Sequence, residues 1–344
     1  MKRLLVISAL ILFSSVCFSQ NNVQTFKTDS GGKYVGEVSN NLPNGKGIMY
    51  YANGNKEYEG MFKNGQYNGT GTSYFENGQM EYTGQWKDGD MDGYGELYWE
   101  NGFKRYEGTF KAREYDGTGT CYREKDGSKD YAGDWKQDKA NGKGTFFYSS
   151  GREKYTGQVK DNRPCGEGTS YYENGNIELS GNFDNGYRLT GQGILYREDG
   201  VKKYEGDFVK GDFEGYGTSY RKSGKTEYQG EWKENLYEGQ GLLYFENGYI
   251  FYQGDFSKGL PCGKGTQYYE SGAKRYEGEF ALHSDEKGEI TSSFNGYGIW
   301  YFENGKIYYK GNFKDGKFEG RGTSYLPNGA VEYDGKWKND KPVN

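Results

Sequence analysis

The feature that most constrains this chain is a short frame, Tyr-x-Gly, that returns at nearly fixed intervals. It stands at Tyr34, Tyr58, Tyr82, Tyr106, Tyr131, Tyr155, Tyr204, Tyr228, Tyr252, Tyr276, Tyr309 and Tyr333, and Leu179 takes the tyrosine's place in a thirteenth copy. The spacing is 24 or 25 residues, apart from one step of 33 between Tyr276 and Tyr309. Self-similarity at such a period is the mark of a repeat array, in which each unit buries its apolar surface against its neighbours.

Other positions keep phase with the frame. Phe or Trp stands two residues after the frame glycine in eleven of thirteen copies, and Val38 and Val159 fill the rest. A Gly-x-Gly follows twelve times, an aromatic comes three residues after its second glycine, and then comes Asn-Gly, Asp-Gly or Ser-Gly. Asn-Gly between β-forming runs predicts a hairpin with a type I′ turn, which needs positive φ twice. Tyr-x-Gly-x-Phe/Trp has period two, so tyrosine, glycine and ring share one face of a strand. Gly-x-Gly offers bare backbone in the next strand, and a neighbouring ring is expected to lie over it. The pattern therefore predicts an all-β fold: an elongated, twisted, single-layer antiparallel β-meander of about 12–13 hairpin repeats. No helical periodicity competes with it.

Composition agrees. Glycine supplies 58 residues and aromatics 18% of the chain, with 36 tyrosines. Aliphatic side chains that would fill a two-layer core are scarce, so rings must bury the apolar area. Disordered glycine-rich chains lack such rings. The net charge is −5, with acids and bases interspersed. That balance gives no electrostatic reason to bind nucleic acid or an anionic membrane.

Residues 1–19 read as a secretory signal peptide: Met1-Lys2-Arg3, an apolar Leu4 to Phe13, and a small, weakly polar stretch to Ser19. Cleavage is expected between Ser19 and Gln20, which leaves a mature charge of −7. Lipid attachment at Cys17 is the rival processing route, but Ser14-Ser15-Val16 matches a lipobox poorly. The leader and the following Gln-Asn-Asn resemble those of exported proteins of Bacteroidetes-type bacteria, which implies periplasm, outer surface or medium as the compartment. Residues 20–33 are expected to form a short polar segment and 34–344 the array, with an insertion loop around 281–295.

One full copy reads Tyr82-Thr83-Gly84-Gln85-Trp86-Lys87-Asp88-Gly89 and continues to Gly93-Tyr94-Gly95. It resembles the MORN repeat. Tyr58, Gly60, Phe62, Gly69 and Gly71 match the same motif one unit earlier. MORN arrays elsewhere serve as scaffolds, dimerisation segments and proposed lipid-binding modules, some fused to lipid kinases or lysine methyltransferases. The resemblance covers residues 34–340, so no fused catalytic domain is expected. Units here run slightly longer than the family's usual one, and Tyr50-Tyr51, Tyr171-Tyr172 and Tyr268-Tyr269 place rings on both faces.

Catalytic constellations are poorly served by this sequence. One histidine, His283, leaves no histidine-based triad and no multi-histidine metal site. Acids recur at solvent-type positions such as Glu37, Asp134, Asp207 and Glu231. No enzyme, cofactor or metal is expected. Cys165 and Cys262 occupy the same repeat position four units apart, on the order of 40 Å at two strands per unit, and Cys121 stands about two units from Cys165. That is too far for disulfides, so free thiols or an intermolecular bond are expected. The extra residues after Phe280, with His283, Asp285 and Glu286, form a candidate partner loop or a tolerated insertion. The expected function is a protein-interaction scaffold of the cell envelope, with self-association through unpaired edge strands. Glycan or envelope binding through aromatic ladders is the alternative, and a toxin-neutralising role rests on analogy alone.

Overall fold

The computed structural model describes residues 23–284 and 286–343. The expected leader, with Ser19, Gln20 and Cys17, lies outside the described residues. Among the described residues there is no helix. The twenty-seven strands of the described residues make one open antiparallel sheet, the meander that the repeat predicts.

An ordinary repeat shows why. Strand Lys56–Lys63 pairs with Gln66–Tyr74, so that Tyr58 faces Ser73 and Gly60 faces Gly71. The second strand pairs onward with Met80–Lys87, where the next tyrosine frame begins. Tyr58 is completely buried and Phe62 is 3% exposed, although nothing but their own sheet covers them. The Tyr58 ring lies flat across Gly60 and Gly71. A Cβ on Gly71 would stand 2.6 Å from Tyr58 Cε2, so only glycine admits the ring. The Tyr58 hydroxyl then donates to the Met61 carbonyl at 3.0 Å. Gly69 is needed for another reason. Between the Gly60–Gly71 and Phe62–Tyr67 pairs, one residue on the first strand faces three on the second, and Gly69 takes φ 74° in that bulge.

The chain divides into two compact units, one ending at Gly168 and the other starting at Thr169. In the first, edge-to-face contacts of 5.0–5.5 Å run from Tyr34 through Phe62, Tyr58, Trp86, Tyr82, Phe110 and Tyr106 to Trp135. In the second, the same spacing runs from Tyr204 through Trp232, Tyr228, Phe256, Tyr252, Phe280, Tyr276 and Phe313 to Tyr309 and Trp337. Edge-to-face pairs at this separation add to the area each ring buries. Tryptophan also ties neighbouring repeats covalently distant in sequence: Trp86 Nε1 donates to the Gly71 carbonyl at 3.1 Å, and Trp232 Nε1 does the same to Gly217.

Two expectations need correction and one gains detail. The Asn-Gly dipeptides do not form type I′ turns. Gly54 N donates to Tyr51 O and Tyr51 N to Asn55 O, a three-residue loop in which only Gly54 has positive φ, at 90°. The asparagine is there for its side chain: Asn53 Nδ2 donates to the Glu76 carbonyl of the next turn at 2.9 Å. Two consecutive positive φ values occur instead at the other connection, as in Asn64-Gly65 (49° and 82°) and Asp88-Gly89 (48° and 83°). Second, the short polar segment before Tyr34 is partly strand. Val23–Lys27 adds an edge strand to Lys33–Ser39, because Phe26 can pack 5.1 Å from the Tyr34 ring.

Third, the insertion around 281–295 is mostly strand. Lys274–Ser284 and Ile290–Tyr301 are simply longer than their counterparts and pair from Ala281–Ser293 to Ser284–Ile290. Alternation in Ile290-Thr291-Ser292-Ser293-Phe294 suits a paired strand. Ser292 Oγ also donates to the Pro261 carbonyl at 2.6 Å, holding the extension to the repeat before it.

Candidate functional site

The two sheet faces differ in chemistry. On one, the repeat residues singled out in the sequence (Tyr58, Gly60, Phe62, Gly71, Tyr82, Gly84, Trp86 and Gly95) come together as core, and Gly69 and Gly93 shape the bulges beside it. Burial raises the phenol pKa of these tyrosines, to about 12 at Tyr34 and Tyr309, where Glu37 and Asp340 add to it. They remain neutral packing groups.

The opposite face carries a recurring polar set. Lys104 Nζ lies 2.6 Å from Glu107, and Tyr122 donates to the same carboxylate at 2.5 Å. Hydrogen bonds from Lys104 and then Tyr122 hold the Glu107 carboxyl below its usual range. The same trio returns as Lys202, Glu205 and Tyr220, and again as Lys274, Glu277 and Tyr301. Each cluster sets a lysine against a carboxylate at the surface. Tyr94, Tyr216 and Tyr297 occupy the middle of Gly-x-Gly and are 57, 56 and 52% exposed. Tyr94 borders a shallow hollow of about 430 Å³ with Thr70, Thr72, Thr83 and Gln85. Its backbone N–H donates to Gln85 Oε1 at 3.3 Å.

The candidate partner loop is not assembled into a site. His283 lies on a strand opposite Thr291, with Nδ1 3.3 Å from Asp315 Oδ1. Glu286 is exposed in the turn, and Asp285 lies outside the described residues. Cys121, Cys165 and Cys262 are free. Burial pushes the Cys121 thiol up to about 12, which makes it a poor nucleophile. Among the described residues no group of three or more His, Cys, Asp or Glu stands where a metal ion could be held.

The frame is broken at the Leu179 repeat, where leucine stands in the tyrosine position. Strand Ile177–Phe183 pairs with Leu189–Tyr196 through Gly181 and Gly193, as elsewhere, but no phenol covers those glycines. Leu189 drops toward Gly193 instead, and a Cβ there would stand 2.6 Å from Leu189 Cδ1. Beside it lies a hollow of about 520 Å³ lined by Leu179, Leu189, Leu195 and Phe208, with Tyr187, Arg188, Lys210, Gly211 and Asp212 around it. The signals were a leucine in the tyrosine slot and one extra residue between Phe183 and Leu189, compared with Phe62 to Tyr67.

Comparison with known families decides what this architecture is. The MORN repeat model matches residues 34–56, 58–80, 82–104, 131–151, 155–177, 204–226, 228–248, 252–274, 309–331 and 333–343, more than half of the chain. The chain belongs to the MORN-repeat family. A MORN variant model adds residues 294–315. The stretches left between matches include 106–130, 179–203 and 276–293, where the repeat carries an extra residue, the leucine frame and the long hairpin. Only MORN models match, so this is a repeat protein of a kind that binds or scaffolds, with no catalytic domain found beside the repeats. No curated protein matches the chain.

Proposed function

We propose that this MORN-repeat protein is a non-enzymatic interaction scaffold, exported to the cell envelope, that seats protein partners along the face opposite its tyrosine core. The observation that carries this reading is the return of one half-buried side-chain set, lysine, glutamate and tyrosine, at the same register in Lys104, Lys202 and Lys274 repeats. Repetition of a contact surface suits additive, multi-point binding, whereas chemistry needs one converging site. The edge at Val23–Lys27, paired on one side only among the described residues, offers a second mode, strand addition by another copy. The signal peptide expected at residues 1–19 supports an envelope location.

The test is a series of single-repeat deletions in the full chain, each scored for retention of the partners captured by the intact protein from its own envelope. Binding should weaken in steps as repeats are removed. Complete loss from one point substitution on an exposed residue would contradict a distributed surface.

A second reading is favoured by the hollow at Tyr94. An exposed ring beside three threonines and a glutamine offers a stacking surface and uncharged hydrogen-bonding groups of the type a pyranose ring uses. Retention on a soluble polysaccharide panel that disappears in Tyr94→Ala would support it. No retention across the panel would dispose of it.

A further inference from the structure

We infer that the hollow beside Leu179 is a binding site for a small phenolic carboxylate, whose ring takes the place that a tyrosine fills in every other repeat. The other frames define that place closely. In all twelve, the phenol oxygen donates to the backbone carbonyl three residues on, from Tyr34 to Glu37 at 2.7 Å through to Tyr333 and Lys336 at 3.2 Å. The equivalent acceptor here is the Asn182 carbonyl, and Leu179 has no hydroxyl to offer it.

The surroundings suit a ring. In ordinary repeats the first core residue of the following strand stacks on the tyrosine, as Tyr67 on Tyr58 and Phe213 on Tyr204, both at 3.8 Å. Leu189 stands at that position and leans toward Gly193. An entering ring would lift Leu189 back to the stacked position and meet Phe208, the ring that the next repeat supplies, edge-on. The hollow as it stands, open to solvent and about 520 Å³, has room for one substituted benzene.

Charge supplies the rest of the ligand. Arg188 and Lys210 stand at the rim, and among the described residues neither takes part in an ion pair. Asp212, the acid at the same rim, accepts a hydrogen bond from Asn235 Nδ2 at 2.7 Å. Two cations against one engaged carboxylate favour an anionic tail, which Arg188 can hold in a two-pronged hydrogen bond. A ring with a hydroxyl at one end and a carboxylate at the other meets all three requirements.

The experiment is titration of the full chain with 4-hydroxyphenylacetate, followed by calorimetry and ligand-observed NMR. Binding is expected with a dissociation constant on the order of 1 mM. Phenylacetate, which lacks the hydroxyl, should bind about fivefold more weakly. Arg188→Ala with Lys210→Ala should weaken 4-hydroxyphenylacetate about tenfold while leaving p-cresol unchanged. Leu179→Tyr, which restores the frame, should abolish binding of all three probes. Absence of binding to the unaltered protein, or equal binding by Leu179→Tyr, overturns the inference. Partner capture by the scaffold face is scored separately and is unaffected by either result.

Discussion

The repeat that begins at Tyr58 and the one that begins at Leu179 share a backbone plan and differ in the core at the frame residue, at the residue that stacks on it (Tyr67 against Leu189), and by one loop residue. Both pair glycine with glycine across adjacent strands, and both end in a three-residue turn clamped by an asparagine from the repeat before: Asn53 to Glu76, Asn174 to Glu198. In the first, a buried ring seals the glycines. In the second, Leu179 is partly exposed and the seal is incomplete. The hairpin geometry thus belongs to the turns and the glycine register, whereas the enclosed core belongs to the ring.

The largest test of that division is alkali. Buried phenols bind their protons more tightly in the fold than in the unfolded chain, where tyrosine ionises near pH 10. Their stabilisation is therefore complete below about pH 10 and is lost as pH rises toward and past 12. With each phenol worth up to about 1.4 kcal/mol per pH unit, the array should unfold steeply in that window. Ionisation of the buried frame tyrosines, as distinct from exposed ones such as Tyr94, should coincide with the loss of circular dichroism. Frame tyrosines that ionise near pH 10 with the strands intact would show that the rings are not sealed.

Truncation comes next. Tyr58→Ala should cost about 4 kcal/mol, and Leu179→Ala no more than about 2, because the leucine side is already open. Local hydrogen exchange of the two strand pairs measures both, and equal losses would break the comparison. Glycine substitution sharpens it. Gly71→Ala drives a methyl into the Tyr58 ring and should cost about 3 kcal/mol. Gly193→Ala meets the movable end of Leu189 and should cost about 1 kcal/mol. Smallest is the asparagine clamp, which both repeats possess: Asn53→Ala and Asn174→Ala should each lose about 1 kcal/mol. Unequal losses there would place part of the difference in the turns.

Much of this was legible in the sequence. The period of the Tyr-x-Gly frame defined the strands, and the need for bare backbone under a ring defined the fold's core before any coordinates. Which turn type goes with which connection was not legible, because Asn-Gly suits both a type I′ turn and the left-handed end of a three-residue loop. The difference lies in how many residues separate the paired ends, which depends on register. The long hairpin at 281–295 was read as a loop because it interrupts the period, yet its own alternation is that of a strand. The hollow at Leu179 escaped for a related reason. A conservative apolar replacement looks neutral in sequence and becomes a gap only when the planar group it displaces has glycine beneath it.

The tryptophan bond carries a wider consequence. Trp86 reaches a carbonyl 15 residues back, and Trp135 reaches one 16 back because the unit before it is one residue longer. The indole thus recognises a position in the adjoining unit, not a fixed distance along the chain. A duplicated or deleted copy would find the same acceptor waiting at its new border. Length in such a protein can drift through recombination without any junction having to be reinvented, and a variant unit such as the one at Leu179 can be carried within it at little risk to its neighbours.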